Sequence, residues 1–94
     1  MSAGQQVLLD AADLIEEKGW IQGANWRPGL GYCVFGAINK VTQNDLAFSD
    51  AVGRVLTEIG RLNQPWTGGI ARWNDEPGRT KDEVLAALRK AAES

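Results

Sequence analysis

Apolar residues recur at the helical period in four stretches of the chain, and the first of these runs from Gln5 to Lys18. A regular apolar stripe at this spacing predicts a helix whose buried face carries Val7, Leu8, Ala11, Leu14 and Ile15. Gly19 follows directly, where glycine suits a left-handed C-terminal cap. We therefore expect the first helix to end at Lys18.

Two further helices are predicted in the middle of the chain. One covers about Tyr32–Thr42, and the next begins at Asp45 or Ser49 and ends near Leu62. Each has an interior glycine, Gly36 and Gly53, although such a glycine costs roughly 1 kcal/mol relative to alanine. We expect another backbone to approach Gly36 closely, and tight packing at Gly53 as well.

The last helix has the clearest start signal. Thr80 and Glu83 have the spacing of a capping box, in which each side chain accepts a hydrogen bond from the backbone N–H of the other residue. The preceding residues Glu76–Arg79 fit a type II turn, with proline second and glycine third. The buried face of this helix is predicted to comprise Val84, Leu85, Leu88 and Ala91 or Ala92.

Two connections between these helices exceed the length of about 2–8 residues that is usual in helical bundles. They span Gly19–Gly31 and Asn63–Arg79, and each contains two tryptophans. No segment alternates convincingly as a strand, although short β pairing stays open around Tyr32–Phe35, and a short helical turn is expected over Gly69–Trp73. The predicted fold is all-α: a single domain over residues 1–94, a small four- to five-helix bundle with two long Trp/Gly-rich connections.

The tryptophans in these connections allow two interpretations. Folded inward, each would bury on the order of 150–250 Å² and enlarge a small core. Facing outward, Trp26 beside Arg27 and Trp73 beside Arg72 would combine the two residue types that are enriched at binding hot spots. For an outward-facing ring, we predict that Trp26→Ala or Trp66→Ala weakens partner binding while the melting temperature barely moves.

The segment Trp73–Thr80 is the densest in polar candidates. The Asn74 and Asp75 side chains can bond to nearby backbone N–H groups, and Asp75 can pair with Arg79. The same side chains could instead contact a ligand or a partner, and the sequence leaves both roles open.

Composition excludes several classes of function. Ten Lys and Arg residues stand against 12 Asp and Glu residues, so the net charge of −2 gives no electrostatic case for nucleic acid or an anionic membrane. Histidine is absent, which excludes Ser-His-Asp triads, Cys-His pairs and imidazole zinc sites. One cysteine forms no internal disulfide, and no apolar run is long enough to span a membrane. We expect a cytoplasmic protein that uses no cofactor and no metal.

Three motifs, taken in order, resemble those of a known family. They are Leu14–Trp20, then Gly31–Ala37 with the pattern Gly-x-Cys-x-x-Gly-Ala, then Trp73–Thr80 with the pattern Trp-Asn-Asp-x-x-Gly-Arg-Thr. Over nearly its whole length the chain resembles an uncharacterised family of small actinobacterial and actinophage proteins. The resemblance implies no catalytic residue. For a phage-encoded member it implies an accessory protein that contacts a host protein. Members often carry a cysteine directly after the first tryptophan, where this chain has Ile21.

We expect a non-enzymatic protein–protein interaction or regulatory accessory module. Two alternatives remain, a nucleic-acid-associated regulator and a weak hydrolase based on Cys33 or on carboxylates. Without histidine as a base, Cys33 is better explained as a small buried core residue. The candidate partner-binding residues are Trp26, Arg27, Trp66, Arg72, Trp73, Asn74, Asp75 and Arg79.

Overall fold

A computed structural model describes residues 1–63 and 68–94, together with the backbone of 66–67. The fold is mostly helical, as predicted, but it is not purely α, because it also contains a small antiparallel sheet; of its residues only Tyr32 lies in the segment Tyr32–Phe35, where β pairing was left open. In chain order the elements are α1 (Ala3–Lys18), β1 (Trp26–Arg27), β2 (Gly31–Tyr32), α2 (Val34–Val41), α3 (Asp45–Glu58), α4 (Trp66–Asp75) and α5 (Lys81–Glu93).

Helix α1 is the centre of the bundle and packs against α2, α3 and α5. The predicted stripe of α1 is buried, apart from Leu14, which packs against the edge of the core. The predicted face of α5 is buried as well, and both Ala91 and Ala92 belong to it. Hydrophobic burial of these stripes, rather than helix propensity, supplies most of the stability of short helices.

The predicted start of α5 is confirmed. Glu83 N donates to Thr80 Oγ1 at 3.2 Å, and Thr80 N donates to Glu83 Oε1 at 3.0 Å. The turn before it agrees with type II geometry, because Arg79 N donates to Glu76 O at 3.1 Å and Gly78 has φ 85°. The turn therefore delivers the chain directly to the N-cap of the last helix.

The second long connection is largely helical, which corrects the prediction of a connection with a single helical turn. Helix α4 covers Trp66–Asp75, although Gly68 and Gly69 are poor helix formers. Ile70, Trp73 and Asn74 lie three and four residues apart on one face, and all three are buried. Packing of this face overrides local propensity, which the sequence pattern alone does not show.

Two expectations for the middle helices fail, and one is confirmed. Helix α3 ends at Glu58 rather than near Leu62, which is exposed. Gly53 faces open space, so the expected tight packing is absent there. At Gly36, by contrast, a Cβ would overlap the backbone carbonyl of Asn25, which is the close approach that was predicted.

The first long connection folds into the small sheet. Trp26 pairs with Tyr32, and Arg27 pairs with Gly31. Pro28 and Gly29 hold the central positions of the turn between them, Gly29 has φ 75°, and Leu30 N donates to Arg27 O at 3.1 Å. We call residues 26–32 the hairpin.

The backbone just after α1 extends this sheet. Tyr32 N donates to Gly19 O at 3.0 Å, and Ile21 N donates to Tyr32 O at 3.1 Å. Gly19 is the C-cap after Lys18, as predicted, and its φ of 110° favours glycine, but its ψ of 162° is extended rather than left-handed helical and brings its carbonyl alongside β2. A Cβ on Gly31 would overlap this carbonyl, and glycine is therefore needed there.

Candidate contact surface

Asn74 is the centre of a buried polar network. Its side chain is 0% exposed and makes four hydrogen bonds. Oδ1 accepts from Trp20 Nε1 at 2.7 Å and from Val34 N at 3.1 Å. Nδ2 donates to Ile21 O at 3.0 Å and to Asp75 Oδ1 at 2.9 Å. The full hydrogen-bonding capacity of the amide is used, and the network joins α4 to the first connection and to the start of α2.

Two neighbouring side chains, Gln22 and Asp75, add hydrogen bonds between the end of α4 and the first connection. We call this contact region the junction. Asp75 Oδ1 accepts from Gly23 N at 3.0 Å. Gln22 Nε2 donates to the carbonyl of Asn74 at 3.0 Å and to that of Glu76 at 3.1 Å. The end of α4 therefore bonds to the first connection at several residues. These bonds hold the chain that leads into the hairpin, residues 26–32.

Arg79 closes the junction on its other side. Its guanidinium lies 4.0 Å from the centroid of the Trp73 ring, a cation–π arrangement, and its Nε donates to Trp73 O at 3.0 Å. It pairs with Glu76 at 3.3 Å and with Glu83 at 3.2 Å, whereas the sequence analysis suggested Asp75. Arg61 also pairs with Glu76.

Cys33 lies at the start of α2 and acts as its N-cap. The thiol Sγ accepts from Gly36 N at 3.3 Å and lies 3.6 Å from Asn25 Oδ1. Burial raises the pKa of the thiol, and this outweighs the backbone N–H groups that lower it. The thiolate that a nucleophile needs is therefore disfavoured, and Cys33 is explained by packing and capping. Within residues 1–63 and 68–94, no three His, Cys, Asp or Glu side chains cluster as a metal site.

The hairpin presents apolar side chains to solvent. Trp26 is 54% exposed and Leu30 is 60% exposed. The Trp26 ring lies against Tyr32, with centroids 6.5 Å apart and planes inclined by 37°. Tyr32 in turn packs against the core. An exposed tryptophan is thus held in place by an ordered strand pair and an anchored aromatic ring.

Two open clefts share the Trp26–Tyr32 pair as a wall. The first, of about 260 Å³, is completed by Asn25, Gly36, Asn39 and Lys40. The second, of about 380 Å³, is completed by Glu17, Lys18, Arg27, Gly29 and Gly31. Pockets for drug-sized molecules typically hold about 300–1,000 Å³, a range that the first cleft falls below and the second falls within. Both clefts are open to solvent, and both lie beside the exposed Trp26 ring.

Each of the two clefts beside the exposed ring is lined by a cation. Lys40 lines the first cleft and Arg27 the second, and neither forms an ion pair with any residue in the described part of the chain. Lys18 is near Arg27 and forms a long 3.7 Å pair with Glu17. The protein is acidic as a whole, so the hairpin is a local basic region.

The structure divides the predicted contact residues into two groups. Trp26 and Arg27 lie together on the exposed hairpin, and Arg72 is exposed on α4. Trp73 and Asn74 are buried, Asp75 is exposed but accepts from Gly23 N and Asn74 Nδ2, and Arg79 is mostly covered, so these four side chains hold the end of α4 in place. The side chain of Trp66 lies outside the described residues.

Sequence reasoning missed the partners of Trp26. Tyr32, Asn39 and Lys40 line its clefts, yet they were not among the candidates. A proline–glycine pair between Trp26–Arg27 and Gly31–Tyr32 was the available signal, because such a turn places Tyr32 opposite Trp26. Lys40 had no local signal, since it reaches the hairpin from α2.

Fold and surface together define a small helical protein that carries an exposed aromatic β-hairpin. The chain belongs to a family of unknown function, DUF6197, whose family model matches residues 2–94. Comparison with curated proteins and with solved structures yields no match. In the part of the chain that the structure describes, no helix is both long and apolar enough to cross a bilayer.

Proposed function

We propose that this protein is a non-enzymatic interaction module, active in the cytoplasm, that binds a protein partner through its hairpin. The observation that carries the proposal is the 54% exposure of Trp26 on a rigidly supported strand. Exposing a tryptophan gives up hydrophobic stabilisation that burial would provide, and tryptophan is the residue type most enriched at binding hot spots. Leu30 and Arg27 beside it supply the mixed apolar and cationic rim of a contact surface.

The interior junction supports this role. The Asn74 network, with the bonds of Gln22 and Asp75, fixes the first connection before any partner binds. A preorganised contact surface loses little conformational entropy on binding, which favours affinity. If the chain is phage-encoded, its resemblance to small actinobacterial and actinophage proteins suggests a host protein as partner.

Site-specific photo-crosslinking tests the proposal. A photoreactive amino acid placed at Leu30 is expected to trap a discrete partner in a lysate of the native host. The same group placed at Leu46, which is 85% exposed on α3, is the matched control and is expected to trap none. The Leu30 adduct should disappear in a Trp26→Ala background. Equal adducts from both positions, or no adduct from Leu30, would contradict the proposal.

A further inference from the structure

The two clefts beside Trp26 also indicate the chemistry of the partner. Each cleft combines an aromatic wall with a cation that has no ion-pair partner in the described residues, Lys40 in the first and Arg27 in the second, where the Glu17 carboxylate is paired with Lys18. Elsewhere in the chain most cations are paired: Arg54 with Asp50, Arg61 and Arg79 with Glu76, Arg89 with Glu16, and Lys90 with Glu58. Arg72 and Lys81 also form no ion pair among the described residues, so two of the four unpaired cations lie beside the hydrophobic contact surface.

We infer that the partner is an acidic peptide segment that lies across Trp26, with carboxylates directed to Lys40 and Arg27. This rests on the proposed function and specifies it. Apolar side chains of the segment would contact Trp26 and Leu30, and the amides of Asn25 and Asn39 would bond its backbone. Opposite charges at the rim of an interface guide association and fix the register of the partner.

The small sheet adds a place for the backbone of such a segment. Strand β2 pairs with β1 on one side and with the chain around Trp20 on the other. Among the described residues β1 is therefore an outer strand, and Trp26 and Arg27 are both on it. An extended peptide can pair along an outer strand, using main-chain bonds for affinity and side-chain pockets for specificity.

A polyanion such as single-stranded nucleic acid fits this surface less well. Nucleic-acid binding relies on many phosphate contacts, whereas this protein has a net charge of −2 and offers two unpaired cations here. The exposed Leu30 has no role in base stacking or phosphate binding, but it matches an apolar side chain.

Selection from a random linear peptide library, displayed on phage and applied to the immobilised full chain, tests the inference. We expect the wild-type protein to enrich Asp and Glu next to apolar residues. The best-enriched sequence, as a synthetic peptide, should bind the Arg27→Glu/Lys40→Glu chain about tenfold more weakly or worse. Replacing the peptide carboxylates by amides should remove that difference. The Lys81→Glu/Lys90→Glu chain has the same change in net charge, on α5 and away from both clefts, and should bind like wild type.

The outcomes separate this inference from the proposed function. If Trp26→Ala abolishes enrichment but reversal of the two charges has no effect, the proposal that the hairpin binds a partner is supported and the inference of an acidic segment is contradicted. If wild type and Trp26→Ala enrich the same peptides, both are contradicted. The absence of any enrichment from wild type overturns the acidic segment, while the crosslinking experiment judges the surface independently. Competition by oligo-dT for the bound peptide would also overturn the inference, in favour of nucleic acid.

Discussion

The indole nitrogen of Trp20 donates to the side-chain oxygen of Asn74 over 2.7 Å, across 54 positions of the chain. This bond couples the first connection to α4. Asn74 also satisfies Val34 N and Ile21 O in the same interior site. The most distinctive motif of the sequence, Trp-Asn-Asp, therefore holds the fold together, and the hairpin that it supports is the surface for which we propose a function.

Loss of the Asn74 amide should be strongly destabilising. Asn74→Ala leaves Trp20 Nε1, Val34 N and Ile21 O without their partner, and each unsatisfied buried group costs about 1–3 kcal/mol. We expect a fall in melting temperature of roughly 10 °C or more. Thermal unfolding followed by circular dichroism measures it, with the exposed Asn39→Ala as control. A change no larger than that of the control would show that the network is not needed.

Arg79 should not be replaceable by lysine. Lysine keeps the charge but loses the planar stack on Trp73 and the geometry that bonds Trp73 O while pairing with two glutamates. We expect Arg79→Lys to cost about 1–2 kcal/mol in the free energy of unfolding. Arg72→Lys, at an exposed position, should cost almost nothing. Urea titration of both chains compares them, and equal midpoints would contradict the assigned role.

Two helical glycines should respond oppositely to alanine. At Gly36 a Cβ would overlap the Asn25 carbonyl, so Gly36→Ala must displace the first connection and should destabilise the protein. At Gly53 the Cβ would meet open space, so Gly53→Ala should stabilise α3 by about 0.5–1 kcal/mol. Opposite shifts in melting temperature are expected. Shifts of the same sign would mean that backbone approach does not decide the effect at Gly36.

Acid should remove the contribution of Asp50. Hydrogen bonds from Arg54 Nε, at 3.0 Å, and from Ser2 Oγ, at 2.8 Å, hold the pKa of this carboxyl below its ordinary value of 3.8. A lowered folded-state pKa means that the stabilisation is present above pH 3.8 and is lost as the pH falls through the folded-state pKa. Solvent screening keeps it below about 1 kcal/mol.

The comparison of wild type with Asp50→Asn isolates that effect. The pKa of Glu83 is also lowered, chiefly by the Thr80 N–H, so wild type loses stability in acid for a second reason. Because both chains keep Glu83, the difference between their melting temperatures reports Asp50 alone. We expect this difference to vanish in acid. A difference that stays constant from neutral pH to the acid limit would contradict the linkage.

Local sequence signals predicted the parts of the fold that local physics controls. The stripe of α1 and the capping box at Thr80 were correct because periodicity and capping depend on neighbours within a few residues. Helix α4 was underestimated because Gly68 and Gly69 disfavour a helix that burial of Ile70 and Trp73 stabilises. A close backbone approach to Gly36 was predicted, but Asn25 was not identified as the residue that makes it.

The contact surface was predicted only in part for the same reason. Trp26 and Arg27 were recognised by residue type. Asn74 and Trp73 have the same types and neighbours that a contact site would have, but they are interior residues. Only the tertiary contacts distinguish the two cases. Lys40 lines the first cleft from α2, and no sequence pattern connects it with Trp26.

The stability and the partner capture of Trp26→Ala, measured on the same preparation, test the central claim most directly. Because the ring is more than half exposed, we expect the melting temperature to change by no more than a few degrees while partner capture is lost. Leu46→Ala, at another exposed apolar position, should retain both. A Trp26→Ala chain that keeps its partner, or one that loses capture only because it no longer folds, would contradict the claim.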